Sequence, residues 1–228
     1  MKTVGLIGGM SYESTLDYYR IINKEINEKL GGLHSAKILL ESYDFSEIEH
    51  LQSNEEWDEL AKILIQSAQK LESMGANYIA IATNTMHIVA NEVQNNINIP
   101  LIHIAQATGN YAKEKRLKNL ALLGTKYTMT KSFYKDKLKD EFNINVILPN
   151  EEQQKTINNI IFNELCKGVY RTESQTLIEA IILDCKFKGA QGVILGCTEL
   201  PILVKRAPIE LINTTKIHCL EISKALLS

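Results

Sequence analysis

The sequence predicts an α/β fold: two similar, pseudo-symmetric lobes, each a parallel-sheet α/β sandwich, with a ligand cleft between them. Two observations predict it. Short continuous apolar runs alternate with segments of helical period along the whole chain, as strands buried in a parallel sheet do with the helices that cover them. The pattern also occurs twice. "GANYIAIATNTMHI" from Gly75 aligns without gaps on "GAQGVILGCTELP" from Gly189, 114 residues later. "KTVGLIGGM" from Lys2 resembles "KNLALLGTK" from Lys118 at a spacing of 116, and Tyr18 then lands on Tyr134. A single repeat at half the chain length is a duplicated domain, not a solenoid. The expected lobes are 1–103 with 213–228, and 104–212.

In chain order, "TVGLIGG" reads as a buried strand followed by a glycine turn. Residues 13–30 read as a helix, with Leu16, Tyr19, Ile22 and Ile26 as its apolar face. "SAKILLESYD" is a strand, with Gln52 on the loop after it; 55–74 is a long helix, and Gly75 is placed to end it. "NYIAIA" is a strand, 85–95 a helix and "PLIHIA" a strand. The second series runs "LKNLALLGT", helix 128–141, strand "INVILP", helices 151–167 and 173–188, strand "GVILG" and a last helix over 214–227.

With 228 residues, 45% hydrophobic and 23% charged, the chain is long enough for real cores. A net charge of −2 leaves no polybasic excess for nucleic acid or an anionic membrane, and no apolar run is long enough to span a bilayer. The N-terminus reads as a strand and turn, not as a signal peptide. Cysteines 166, 185, 197 and 219 show no CxxC spacing, which suits reduced thiols in a cytoplasm. Histidines 34, 50, 87, 103 and 218 form no HExxH or mixed Cys/His set, so no metal site is expected. His87 reads as a brace for its helix, Trp57 as packing, and "KEKRLK" at 113–118 as a solvated edge.

Open α/β sheets bind ligands beyond the carboxyl ends of their strands. The echoed phrases put Thr83 and Cys197 at those ends, where the pseudo-symmetry would face them across the cleft. Cys166, Cys185 and Cys219 read as small buried hydrophobes. Cys197 differs because polar Thr198 and Glu199 follow it at once; a thiol at a helix start is expected to have its thiolate favoured, as nucleophile or base.

"GLIGGMSYEST" at 5–15, "TNTMH" at 83–87, "LLGTKYTM" at 122–129, "LGCTELP" at 195–201 and "TTKIH" at 214–218 together resemble the aspartate/glutamate racemase family. The likeness is greatest to its amino-acid racemases that use no pyridoxal phosphate, and it spans the whole chain. It implies an isomerase, often a homodimer, that works on a small amino acid with no cofactor. Two acid/base groups would flank the α-carbon: Cys197 on one face and Thr83 on the other. Asn84, Thr85 and Thr198 would offer donors to the α-carboxylate, with backbone N–H groups from the turn ending at Met10. Thr125 would hold the side-chain carboxylate and Gln52 would be a further contact. Glu199 would hold the substrate ammonium or assist Cys197, and its presence in place of a histidine points to the aspartate branch. The chain departs from the family at three places. Thr83 stands for the first catalytic cysteine, Cys166 falls where a lysine is often found, and Asn213 replaces an aspartate.

The resemblance implies racemisation of aspartate, and by extension glutamate, with L-substrates favoured. A single cleft cysteine would also serve a decarboxylase or an isomerase of small dicarboxylates. A binding protein that has lost catalysis is the third reading.

Overall fold

The structure, a computed structural model, describes residues 1–228. Its strands are β1 (Thr3–Gly8), β2 (Lys37–Ser42), β3 (Tyr78–Ile81), β4 (Leu101–Ile102), β5 (Asn119–Gly124), β6 (Asn145–Ile147), β7 (Gly192–Gly196) and β8 (Glu210–Asn213). The first helices are α1 (Tyr12–Leu30), α2 (Phe45–Ser53), α3 (Trp57–Ser73), α4 (Ala90–Asn95) and α5 (Ile104–Glu114). The later ones are α6 (Lys126–Thr130), α7 (Ser132–Phe142), α8 (Glu151–Asn163), α9 (Thr172–Phe187), α10 (Leu200–Leu203) and α11 (Thr214–Leu227). Short 3-10 helices cover Thr85–Val89 and Leu165–Lys167.

The strands form two parallel sheets of four, ordered β2-β1-β3-β4 and β6-β5-β7-β8. The same order twice is the duplication written in topology. The chain divides into two compact units, Met1–Ile104 with Thr215–Ser228, and Ala105–Thr214. In the first unit, α3 lays Leu60, Leu64, Ala68 and Leu71 against Ile7, Ile79 and Ile81. On the opposite face of that sheet, Tyr18, Ile22 and Ile26 of α1 and Cys219, Ile222 and Leu226 of α11 pack on Val4, Leu6 and Ala80. In the second, Ile157, Ile161, Ile178 and Ile182 of α8 and α9 cover Ala121, Leu123, Val193 and Leu195. Each fully buried aliphatic side chain contributes about 1.5–3 kcal/mol.

The structure corrects several expectations. The buried stripe of α1 is Thr15, Tyr18, Ile22 and Ile26, whereas Leu16 and Tyr19 are 58% and 55% exposed. At 3.6 residues per turn those two sit with Tyr12 on the other face. Gln52 lies on α2, a helix capped by the Asp44 side chain, not on a loop. "PLIHIA" contains only the two-residue β4, because α5 begins at Ile104. Residues 128–141 split into α6 and α7 at the extended Lys131, and 85–95 begins as a 3-10 helix.

The start of the echo has a local cause. Gly75 (φ +95°) and Gly189 (φ +98°) each follow the cap residue of a helix, α3 and α9. The Gly75 and Ala76 N–H groups donate to Glu72 and Leu71 carbonyls; those of Gly189 and Ala190 donate to Lys186 and Cys185. Both are Schellman closures, which need a residue that tolerates positive φ. Each closure then feeds an interior strand of its sheet, β3 or β7.

Candidate active site

Both echoed phrases end where their strand leaves the sheet. In the first unit Ile7 of β1 pairs with Ile81 of β3, so the turn through Met10 and the segment from Thr83 leave neighbouring strand ends. In the second, Gly124 of β5 pairs with Gly196 of β7, which puts Thr125 and Cys197 directly after paired residues. The sequence-predicted residues thus fall into two sets, each at the carboxyl edge of its own sheet.

In the first set the Gly9 N–H donates to Thr15 Oγ1 at 2.8 Å, which fixes the turn before Met10. The Met10 side chain joins the buried core of its unit, so its backbone is the part that could meet a ligand. Gln52 is buried, and its Nε2 donates to the Met86 thioether at 3.0 Å. Thr83 is half-buried, while Asn84 and Thr85 are buried at the start of the 3-10 helix. The Ser14 hydroxyl donates to the Ala82 carbonyl at 2.8 Å, holding the segment just before Thr83. The Thr83 carbonyl accepts from His87 Nδ1 at 2.8 Å.

In the second set Thr125 caps α6, its Oγ1 accepting from the Thr128 N–H at 3.3 Å. Cys197 and Glu199 are buried and Thr198 half-buried. Glu199 Oε2 accepts from Cys197 Sγ at 2.9 Å and from Thr198 Oγ1 at 2.6 Å. The expectation of a thiolate favoured by a helix start is reversed. Burial first, then the Glu199 carboxylate and the Cys166 thiol, push the Cys197 thiol well above the usual cysteine range. The helix that follows, α10, has only four residues, too short to offset that desolvation.

Cys166 is not the small buried hydrophobe that the sequence predicts: the residue is exposed on the 3-10 helix Leu165–Lys167. Burial of its thiol and the nearby Glu199 charge push it up to about 12. No sequence spacing links it to Cys197; only the neighbouring Leu165, packed in one cluster with Cys197, brings it near. Among Cys, His, Asp and Glu side chains no group of three is arranged to hold a metal ion, and no helix is long and apolar enough to cross a membrane.

Comparison with known proteins adds three relatives and a family. Residues 7–222 match the family model described as Asp/Glu/hydantoin racemase. A protein from Yersinia pestis, solved as a candidate Asp/Glu racemase, is 42% identical over 100% of both chains, with a TM-score of 0.95. An aspartate racemase homologue from Pyrococcus horikoshii OT3 is 35% identical over 100% of both chains, with a TM-score of 0.87. The broad specificity amino-acid racemase RacX of Bacillus subtilis is 27% identical over 143 residues, 63% of this chain and 61% of that relative, less than two thirds of its length.

Proposed function

The chain belongs to the Asp/Glu/hydantoin racemase family, and from that premise we propose that it racemises an acidic amino acid, aspartate and by extension glutamate, without a cofactor. The observation that carries the proposal is the Cys197 thiol, buried at the end of β7 and hydrogen-bonded to Glu199 at 2.9 Å. A thiol in that state is protonated near neutral pH, so it must lose its proton before it can act as a base. Glu199 Oε2 is positioned to accept it. The thiolate then takes the α-hydrogen of the L-isomer, the Thr83 hydroxyl returns a proton to the opposite face of the carbanion, and solvent carries the Glu199 proton to the Thr83 alkoxide to close the cycle. Met10, Asn84, Thr85 and Thr198 provide donors for the α-carboxylate, whose negative charge grows as the proton leaves. Thr125 and Gln52 hold the side-chain carboxylate.

An alcohol is a far poorer base than a thiol, whose unperturbed pKa is about 8.5. Thr83 therefore favours L-substrates in kcat, while the Haldane relation keeps kcat/KM equal for the two enantiomers. We also propose a homodimer in the cytoplasm, with no nucleic acid or membrane partner. The exposed stripe of Tyr12, Leu16 and Tyr19 on α1 is an apolar surface of the kind that such contacts use. A sedimentation mass of one chain at micromolar concentration would remove the dimer.

The protonated Cys197 thiol also suits a proton donor, which is all that a decarboxylase of substituted malonates needs. The carboxylate in direct contact with it does not help that reaction. Incubation in D2O with a panel of amino acids and malonates separates the readings. A racemase places deuterium at Cα of aspartate and inverts it. A decarboxylase releases CO2 from a malonate and exchanges no amino acid, and a binding protein does neither.

A further inference from the structure

We propose that His87 is a positioning residue for the Thr83 proton transfer, its ring clamping the backbone that carries the Thr83 hydroxyl. This role presupposes the racemase reading. The ring makes two directional bonds that only one tautomer allows. Nε2 accepts from the Ile104 N–H at 3.1 Å, so it carries the lone pair. Nδ1 must then carry the proton, which it donates to the Thr83 carbonyl at 2.8 Å. A neutral imidazole thus ties the segment after β3 to the start of α5. An apolar ring of equal size would fill the space and leave both backbone groups without these partners.

The ring is itself held. It is 2% exposed and lies against His103 with centroids 4.6 Å apart, and edge-on to His218 at 5.7 Å. His218 is pinned from both sides: Nε2 donates to the Ile102 carbonyl at 2.7 Å and Nδ1 accepts from the Tyr18 hydroxyl at 2.7 Å. His103 and His218 are the titratable groups facing His87, with Tyr18 behind His218. Burial and those two histidines hold His87 well below the usual histidine range, so the tautomer persists in neutral solution. The echo shows that the brace is particular to the first unit: 114 residues after His87 stands Pro201, which has no polar side chain. A hydroxyl is a weak acid and depends on placement, since a misplacement of about 1 Å can cost 100-fold.

The test compares two substitutions in the full chain. His87→Asn keeps a donor near the Nδ1 position, and His87→Gln keeps an acceptor near Nε2 but loses the donor to Thr83. L-aspartate in D2O is followed for two products: deuterated L-aspartate, which needs Cys197 alone, and D-aspartate, which needs Thr83 as well. His87→Gln should slow inversion roughly 10–100-fold while deuterium entry with retention persists, and His87→Asn should restore most of the inversion. Equal loss of both products in His87→Gln, or no recovery in His87→Asn, would overturn the role, since a merely structural residue moves both together. Nitrogen NMR of the native protein tests the geometry without substitution. A protonated Nδ1 and bare Nε2 between pH 6 and 8 agree, and the other tautomer overturns it. A native protein that exchanges no acidic amino acid overturns the racemase reading itself, whatever the His87 variants do.

Discussion

The Cys197 thiol points its proton at a carboxylate that also accepts from Thr198. Removing the charge while keeping an acceptor isolates what that carboxylate does. Glu199→Gln should move the pH at which Cys197 is alkylated to lower values, because the negative charge beside the thiol helps hold it above the cysteine range. The midpoint should stay above the ordinary thiol value, since burial is the larger cause. Activity should fall by about 100-fold or more if Glu199 is the proton acceptor. An unchanged alkylation profile would mean that the carboxylate does not govern the thiol. At this scale the residue types at the strand ends were legible in the sequence: Thr83, Thr125, Cys197 and Glu199 all fall where three apolar runs stop. The sign of the Cys197 shift was not, because desolvation depends on residues such as Ile161 and Leu165 that join its cluster from elsewhere in the chain.

Among the elements, the echoed Gly-Ala pairs show how a repeat in sequence becomes a repeat in structure. Gly75 and Gly189 both have open space where a Cβ would go, so an alanine there meets backbone strain and no clash. Gly189→Ala should cost about 1–2 kcal/mol and lower the melting temperature by a few degrees, and Gly75→Ala should match it. A larger loss at one position, measured by thermal melts, would show that the two closures are not equivalent. The elements that escaped the sequence reading lack a strong apolar signal. In α5 the buried residues after Ile104 are small, namely Ala105, Ala107, Thr108, Gly109 and Ala112, and a Cβ on Gly109 would meet the Phe142 ring. The strand β8 has four residues and stands at the edge of its sheet. The helix α2 is nine residues long with only Ile48 and Gln52 buried, too sparse a stripe to read. Long helices with full-size aliphatic stripes, such as α3 and α9, were legible.

For the whole molecule, the two sheets of identical strand order were predicted by one repeat and by alternating periodicity, since burial on both faces writes a continuous apolar run into each middle strand. Global stability also has a predicted pH dependence. His218 is drawn down from 6.5 to about 4 by burial. As pH falls, the unfolded chain takes up this proton first, so the stability is fully present above about 6.5 and is lost as pH falls toward 4. The loss is on the order of 3 kcal/mol across that window. Urea midpoints at pH 7 and pH 4.5 measure it, and His218→Asn should flatten the slope; an unaltered slope would assign the acid sensitivity to other groups.

The central claim, that Cys197 and Thr83 share one α-carbon as strong and weak proton carriers, has a direct kinetic test. The measurement is kcat for L-aspartate and D-aspartate in the native protein and in Thr83→Cys. The account predicts a low kcat with a matching low KM from the D-side of the native protein. It predicts a rise of roughly 10²–10⁴ at most on restoring a thiol, largest from D-aspartate. Equal kcat values from both enantiomers, unmoved by Thr83→Cys, would contradict it.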